Sequence, residues 1–432
     1  MDELRMDGRA VLERMRELPG GREVSHLAAG RGDVELVGGA VRDLLLERTP
    51  RELDLVVAED APSFARELSS RLGIPAAGDP EGGSGIAAHE RFGTALVWWP
   101  GGRVDIAARR AESYSAPGAL PDVRAGTTEE DLRRRDFTVN AIAVLVAGPR
   151  MGEISAVPHA FEDLARSRLR VLHERSFVDD PTRLLRLARY LARLEFEPDE
   201  HTAELAAQAL AGGQLATVSG ARIGAELRLL LSEPDPLAAL GRLSELGVLE
   251  ALGPGLRLQK RVAQRALDAL PPDGHSDMLL LATLLVGMSH DPTGDPERAM
   301  LELLDDLEFT AGDRNRAHAA ALKAQVLLDR LEAARTPSEL GEPVQAAPVE
   351  ALALALALAE EQGRTQAAAA AARWISELRH VRLQITGDDL LAAGIPAGPE
   401  IGRRLKLAMR RKLDGELPGG REAELSAAME AL

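Results

Sequence analysis

The first third of the chain alternates short apolar runs with turn residues, a pattern typical of mixed α/β structure. Residues 34–37 predict a strand that ends at a double glycine, and residues 40–46 predict the helix that follows it. A second strand is predicted at Leu53–Val57, and the helical pattern of Ala61–Leu72 comes directly after it. Strands and helices therefore alternate from the start of the chain.

Two further strands are predicted on either side of a proline and two glycines. Thr94–Trp99 and residues 103–107 flank Pro100-Gly101-Gly102, which is typical of a hairpin. With the preceding elements, they predict an α/β head domain over residues 1–147.

Long amphipathic patterns replace the strand signals from residue 164 onward, for example at residues 181–194 and 201–210. Glycine and proline clusters at residues 212–213, 271–274 and 336–348 indicate breaks between helical groups. The alanine-rich stretches at 351–359 and 367–372 are typical of closely packed helices. We therefore predict a helical neck at 148–235, a helical body at 236–345 and a helical tail at 346–432.

The composition supports this division and excludes some chemistry. Aromatic residues form only 3% of the 432 residues, so aliphatic helix packing should dominate the core. The chain has no cysteine, which excludes disulfide partners, thiolate nucleophiles and Cys-ligated zinc. Any metal must bind oxygen or histidine, and the spacing of the histidines predicts no metal site and no phosphohydrolase domain.

The formal net charge of −16 argues against a protein that coats nucleic acid non-specifically. Basic residues are nevertheless clustered, with eight arginines between Arg166 and Arg193. A second, weaker cluster is a candidate RNA-binding patch and consists of Arg379, Arg382, Arg403, Arg404, Lys406, Arg410, Arg411 and Lys412. An acidic chain with such patches can bind RNA at chosen places.

Nothing in the sequence predicts a membrane partner. Residues 1–5 are charged, and no run of about 18 apolar residues occurs. We expect a soluble, cytoplasmic protein.

The double glycine is the first candidate for chemistry. Gly38 and Gly39 stand where a strand turns into a helix, so backbone N–H groups and the positive end of the helix dipole can face an anion such as a triphosphate. Taken alone, the pair is more typical of a tight turn, and Arg42 with Asp43 is typical of a surface ion pair.

Paired carboxylates are the second candidate. Glu52 and Asp54 are two residues apart along a strand, so their side chains project from one face and can bind Mg²⁺. Asp105 lies on the predicted hairpin and is a third acid that a sheet could bring beside them. Three acids can hold two metal ions about 4 Å apart, which would activate a 3′-hydroxyl and stabilise leaving pyrophosphate.

Several segments, in order along the chain, resemble the bacterial class II tRNA nucleotidyltransferase and poly(A) polymerase family. The resemblance is specific over about residues 34–200, and the tail resembles the family more loosely. The segments are residues 38–43 (GGAVRD), the acid pair at 52–54, residues 91–94 (RFGT), 130–141 (EDLRRRDFTVNA) and 179–189 (DDPTRLLRLAR), with 385–390 (ITGDDL) and 398–402 (GPEIG) in the tail.

The resemblance implies a fold and an activity. The fold is an α+β head of the polymerase beta-like nucleotidyltransferase type, followed by all-helical neck, body and tail domains. The activity is addition of C, A or both to the 3′ end of tRNA from CTP and ATP, with Mg²⁺, expected as two ions, as cofactor. The tRNA acceptor arm would be the partner of the tail.

The resemblance also implies roles for single residues. Glu52, Asp54 and Asp105 would be catalytic, the first two as metal ligands. Asp180 and Arg183 would pair with the incoming base as a template. The nucleotide-binding set would be completed by Gly38, Gly39, Arg42, Arg135, Arg186 and Arg189.

Glu52 departs from the family pattern, in which the first metal-binding acid is usually aspartate. One extra methylene moves the carboxylate by about an ångström, a displacement that can cost about 100-fold in rate. We expect Glu52 to coordinate metal all the same. The loop at residues 115–123 resembles that of A-adding relatives, and its glycine and proline content favours mobility.

Alternatives remain open at this point. The chain could be a poly(A) polymerase, an enzyme that adenylylates a small molecule, or a non-catalytic RNA-binding relative. Motifs shared by the whole family do not separate CCA, CC, A and poly(A) addition.

Overall fold

The computed structural model describes residues 7–31, 33–58, 60–75, 83–89, 93–290 and 295–430 of the chain. The charged segment 1–5 and the motif residues Arg91 and Phe92 lie outside the described residues. The chain divides into two compact units, Met1–Val218 and Ser219–Leu432. The four domains proposed from the sequence, with their bounds, stay predictions.

The first unit contains the β-structure. Its strands are β1 (Glu35–Val37), β2 (Leu53–Val57), β3 (Gly85–His89), β4 (Thr94–Trp99), β5 (Gly102–Ala108), β6 (Arg110–Ser113), β7 (Asp122–Ala125), β8 (Ile142–Leu145), β9 (Ile154–Ala156), β10 (Arg168–Leu169) and β11 (Glu197–Pro198).

Seven of these strands form one sheet in the order β3-β4-β5-β2-β1-β8-β9. Strands β2 and β5 run parallel, whereas the other neighbours are antiparallel. The centre of the sheet is apolar, since three successive residues of β2, Leu55, Val56 and Val57, are buried. The register places Asp54 of β2 directly opposite Asp105 of β5. The sheet thus brings two of the predicted acids together from separate parts of the chain.

Helices surround this sheet and continue beyond it in the first unit. They are α1 (Gly8–Glu17), α2 (Gly21–Ala29), α3 (Gly38–Leu45), α4 (Ala61–Leu72), α5 (Thr128–Arg133), α6 (Ala160–Ala165), α7 (Ser176–Asp179), α8 (Arg183–Leu194) and α9 (Glu200–Ala211), with 3₁₀ turns at Thr138–Asn140 and Gln214–Thr217.

Local sequence explains where these helices begin and end. Asp60 caps α4 by accepting a bond from the Ser63 N–H at 3.0 Å, Pro62 occupies its first turn, and Gly73 ends it at a φ of +68°. Helix α5 begins with a capping box between Thr127 and Glu130. These signals lie within a few residues of each helix end, which is why the sequence predicts the ends well.

The second unit is helical wherever the structure describes it. Its helices are α10 (Gly220–Leu231), α11 (Pro236–Glu245), α12 (Val248–Leu252), α13 (Lys260–Ala269), α14 (Ser276–Leu285), α15 (Pro296–Asp306), α16 (Ala311–Ala333), α17 (Gly341–Gln345), α18 (Val349–Glu361), α19 (Thr365–Ser376), α20 (Gly387–Ala392), α21 (Pro399–Leu413) and α22 (Arg421–Met429), with 3₁₀ turns at Val286–His290, Pro337–Leu340 and Leu378–His380.

Helix α18 is the centre of this unit. It packs against α13, α16 and α19, and its alternating alanines and leucines at positions 351–359 are all buried. A helix that is apolar on every side must be enclosed by others. The alanine-rich stretches are therefore packed helices, as predicted. A smaller core of Ile385, Leu390, Ala408 and Ala428 holds α20, α21 and α22 together.

Most predicted elements are confirmed, and β2 and α4 have the predicted bounds. The segment after residue 147 is less purely helical than expected, because β9 completes the sheet and β10 pairs with β11. Strands of two or three residues are too short to produce an alternating pattern. Within the described residues, no helix combines the length and apolarity needed to span a bilayer.

Candidate active site

The glycine turn after β1 lies against charged side chains from two other segments and from α3 itself. Gly38 has a φ of +68°, and a Cβ placed on it would lie 2.8 Å from Nη1 of Arg135 and 3.5 Å from Oδ2 of Asp54. A Cβ on Gly39 would lie 3.8 Å from the same Asp54 oxygen and 3.5 Å from Nη2 of Arg42. Side chains from β2 and from the segment just after α5 therefore lie at the N-terminus of α3.

The three predicted acids converge beside this turn. Glu52, Asp54 and Asp105 each offer one carboxylate oxygen, and these oxygens all lie within 4.8 Å of one another. All three side chains are half-buried. Glu52 precedes the first residue of β2, yet its side chain reaches the same place. A set of three oxygen donors this close together fits a hard divalent cation, which neutralises their repulsion.

The environment of Asp54 is unfavourable for its ionised form. The pKa of Asp54 is raised to about 7, chiefly by burial and also by the neighbouring carboxylates of Glu52 and Asp105, although the guanidiniums of Arg135 and Arg42 oppose the shift. A cation among the acids would favour the ionised form of Asp54.

One cation of the chain already contacts the acids. Nε and Nη2 of Arg103 donate to the two carboxylate oxygens of Asp105 at 3.0 and 2.9 Å, and its Nε lies 3.7 Å from Oε2 of Glu52. Two parallel N–H bonds to one carboxylate form the strong bidentate geometry of arginine. Sequence reasoning missed this residue, although its spacing from Asp105 puts both side chains on one face of β5.

Arg135 is held beside the turn by an acid that sequence reasoning did not select. Asp131 is 2% exposed and accepts from Nη2 of Arg135 at 3.0 Å and from Nη2 of Arg134 at 2.8 Å. Burial works to raise the pKa of Asp131, but these two guanidiniums outweigh it and hold the pKa below its ordinary value. Its signal in the sequence is the spacing of three and four residues on one helix.

The predicted template residues lie at the start of α8. Arg183 is 3% exposed, and its Nη2 donates to the carbonyl oxygen of Arg134 at 2.8 Å. Its Nε and Nη1 are buried without a hydrogen-bond partner among the described residues. Asp180 accepts from the backbone N–H and the hydroxyl of Thr182 at 3.2 and 2.6 Å. Two buried donors of Arg183 thus remain to bind a polar ligand.

A buried polar network links α3 to α8. Arg42 is 1% exposed, and it donates to Oδ1 of Asp43 at 2.8 Å and to Oδ1 of Asn140 at 2.5 Å. Asn140 in turn donates to Asp136 at 2.9 Å, and the other oxygen of Asp136 pairs with Arg186 at 2.6 Å. The predicted contact of Arg42 with a triphosphate stays a prediction, because in this structure its guanidinium is bound within the network.

Arg189 also lies within this region of the first unit. It is 8% exposed, and its guanidinium carbon lies 4.9 Å from the ring centroid of Tyr190. The expected roles of Arg186 and Arg189 in nucleotide binding stay predictions.

The candidate RNA-binding patch divides into two groups. Arg404 and Lys412 bind within the tail, where Arg404 donates to Glu400 and to the carbonyl of Ala428, and Lys412 pairs with buried Glu424. In the same way, Arg379 pairs with Asp273, Arg411 with Glu430, and Arg382 donates to the carbonyls of residues 379 and 381. These five residues thus have hydrogen-bond or ion-pair partners within the second unit.

Arg403, Lys406 and Arg410 form the second group and are exposed on one side of α21. They line a cavity of about 510 Å³ with Arg330. Arg403 also pairs with Glu400 at 2.7 Å. The basic character of this face makes it the part of the patch best placed to meet a polyanion.

The glycine turn permits a matched pair of variants. Gly38→Ala should lower the free energy of unfolding by about 1–2 kcal/mol, since a side chain at positive φ is strained, and it should weaken nucleotide binding by displacing Arg135. Gly39→Ala meets only ordinary van der Waals distances, so its stability should change by less than about 0.5 kcal/mol. Thermal unfolding and nucleotide titration of both variants check this, and equal losses at the two positions would contradict it.

Comparisons with known proteins agree with the geometry. The family model of the poly A polymerase head domain matches residues 34–170, and that of the probable RNA- and SrmB-binding site of polymerase A matches residues 195–259. The chain belongs to the family of tRNA nucleotidyltransferases and poly(A) polymerases.

Two individual relatives show how far the sequence similarity extends. The chain is 31% identical to the A-adding tRNA nucleotidyltransferase of Geobacter sulfurreducens over 394 residues, which is 89% of this chain and 43% of that protein. It is 38% identical to the CC-adding tRNA nucleotidyltransferase of Deinococcus radiodurans over 263 residues, which is 60% of this chain and 66% of that protein. The chain therefore spans less than two thirds of the length of the Geobacter relative.

A solved structure is similar to this one over nearly the whole chain. The CCA-adding enzyme of Thermotoga maritima complexed with tRNA matches with a TM-score of 0.73 and 27% identity over 98% of this chain and 99% of that one. The predicted fold class, a polymerase beta-like head followed by a mainly helical remainder, is confirmed.

Proposed function

We propose that the protein is a template-independent nucleotidyltransferase that adds C, A or both to the 3′ end of tRNA, using CTP and ATP and releasing pyrophosphate. The observation that supports this most directly is the convergence of Glu52, Asp54 and Asp105 within 4.8 Å beside the glycine turn. Membership of the family and the likeness to A-adding, CC-adding and CCA-adding proteins support the choice of tRNA as substrate.

Glu52, Asp54 and Asp105 are the residues that would hold Mg²⁺, expected as two ions. The bound ions would polarise the α-phosphate and lower the pKa of the attacking 3′-hydroxyl. The longer side chain of Glu52 is compatible with this role, because its carboxylate lies within the same 4.8 Å cluster although the residue precedes β2.

The remaining residues of the site would position the nucleotide. The backbone N–H groups of Gly38 and Gly39 open α3 and would bind the triphosphate together with Arg135, whose side chain Asp131 holds in place. Arg183 would bind the edge of the base through its Nε and Nη1, which have no partner among the described residues, with Asp180 nearby in the sequence. Catalysis would come mainly from positioning and charge neutralisation.

Incorporation of labelled nucleotides tests the proposal directly. Three tRNAs that end before CCA, after C and after CC would each be incubated with CTP, ATP, UTP or GTP. We expect incorporation of C, A or both and of neither other nucleotide. Long adenylate products on one tRNA would identify a poly(A) polymerase instead, and the absence of incorporation on all three would support a non-catalytic RNA-binding relative.

Charge reversal on the exposed side of α21 tests the proposed tRNA contact. Lys406→Glu with Arg410→Glu should raise KM for tRNA by about tenfold or more at low salt, because each phosphate contact adds to a salt-dependent attraction. KM for CTP and ATP should not change. The matched control is Arg298→Glu, on α15 of the same unit, where the arginine pairs with Glu302. An unaltered KM for tRNA would show that this face is merely solvated.

Because the proposed substrate is tRNA, we also propose a cytoplasmic location, as expected from the sequence.

A further inference from the structure

Arg103 places a positive charge inside the acid cluster. It stands two residues before Asp105 on β5, so the two side chains share one face of the sheet. Its guanidinium binds both carboxylate oxygens of Asp105, at 3.0 and 2.9 Å, and approaches Glu52 at 3.7 Å. Every Asp105 oxygen that could bind a metal is therefore already accepting an N–H bond.

In this geometry, Arg103 and a divalent ion would compete for the same carboxylate oxygens of Asp105. A carboxylate oxygen that accepts a charge-assisted hydrogen bond has less electron density and less space for a divalent ion. The side chain of Arg103 is 49% exposed, so it has solvent on one side into which it can move. Among the described residues, no arginine forks onto Asp54 in this way, since Arg135 binds Asp131 and Arg42 binds Asp43 and Asn140.

We propose that Arg103 competes with divalent ions for the carboxylate of Asp105. The inference rests on the proposed function, since competition has a consequence only where metal binds these acids. Binding of metal to Asp105 requires the guanidinium to leave that carboxylate. Arg103 thereby keeps metal affinity low until the bound nucleotide adds its own negative charge to the site.

Metal titration of the full chain without nucleotide tests the proposal. Mn²⁺ binding would be measured by calorimetry and by electron paramagnetic resonance for the wild type, Arg103→Gln and Arg103→Lys. Removing one adjacent positive charge should lower the Kd of Mn²⁺ by about fivefold to tenfold in Arg103→Gln. Arg103→Lys keeps the charge but loses the bidentate fork, so its Kd should fall by a smaller factor.

Arg150→Gln is the matched control, because it removes an arginine that pairs with Glu153 at 3.0 Å at the turn between β8 and β9. Its Mn²⁺ affinity should equal that of the wild type. Asp54→Asn identifies the site, because it should abolish the Mn²⁺ binding in question.

The outcomes separate this inference from the proposed function. Equal or weaker Mn²⁺ binding in Arg103→Gln, with wild-type binding that is lost in Asp54→Asn, overturns the competition and leaves the metal site standing. If neither the wild type nor Arg103→Gln binds Mn²⁺ in a way that depends on Asp54, both proposals fail. A tighter, Asp54-dependent site in Arg103→Gln supports both.

Discussion

Asp54→Asn should abolish nucleotide incorporation while making the metal-free protein more stable at pH 8. Asp54 is the acid closest to the glycine turn, with an oxygen 3.5 Å from the Cβ position of Gly38. Loss of one metal-binding carboxylate removes charge stabilisation of the transition state, so incorporation should fall by at least about 10³-fold.

The gain in stability follows from the raised pKa of Asp54. Its pKa is about 7 in the folded protein against an ordinary value of 3.8, so the unfolded chain ionises first as the pH rises. Between pH 4 and 7 the free energy of unfolding therefore falls progressively, and the loss of stability is complete above pH 7. Asparagine removes this cost, which is about 1–3 kcal/mol after allowance for partial solvent contact.

Thermal unfolding at pH 4 and pH 8, without metal, measures this effect. The stabilisation by Asp54→Asn should be present at pH 8 and vanish near pH 4. Glu153→Gln removes the same charge at the turn between β8 and β9 and should have neither effect. Retained incorporation, or lower stability of Asp54→Asn at pH 8, would show that Asp54 is not a strained metal ligand.

Arg183→Ala should lower kcat/KM for CTP and ATP by about 10²–10³-fold, because the edge of the incoming base would lose the buried guanidinium that binds it. Arg183 is 3% exposed, and two of its N–H donors have no partner among the described residues. Arg183→Lys should lose most of this activity too, since an ammonium lacks the planar fork that matches a base edge.

The stability of these variants separates binding from folding. Arg183 donates a hydrogen bond to the carbonyl of Arg134, so Arg183→Ala should cost about 1 kcal/mol of folding free energy. Arg175→Ala is the control, because Arg175 lies just before α7 and pairs with Asp179 while 63% exposed. Full activity in Arg183→Ala, with a normal melting temperature, would remove Arg183 from nucleotide selection.

The sequence predicts the head well because its signals are local. The caps of α4 and the apolar run of β2 identify those elements within their own residues. The acid pair is also predicted from alternation along a strand, and the two carboxylates do lie together, although Glu52 precedes β2. The position of Asp105 opposite Asp54 depends on the parallel pairing of β2 with β5, which no local pattern encodes. The sequence therefore predicts the place of Asp105 beside the other acids only through the hairpin and the family resemblance.

Side-chain partners were less predictable than backbone elements. The cluster of basic residues in the tail suggests one RNA-binding patch, yet Arg404 and Lys412 bind Glu400 and buried Glu424 within the unit. Likewise, the bond between Arg103 and Asp105 and the support of Arg135 by Asp131 depend on which rotamers the packed sheet allows. Charge along a sequence does not reveal whether a cation has an internal partner.

A crystal of the protein grown with Mn²⁺ and a non-hydrolysable ATP analogue tests the central claim most directly. Anomalous scattering should place manganese within bonding distance, about 2.0–2.3 Å, of carboxylate oxygens of Glu52 and Asp54, with Asp105 at the same cluster and the triphosphate beside Gly38 and Gly39. Manganese bound only elsewhere, or a triphosphate bound away from the glycine turn, would contradict the account.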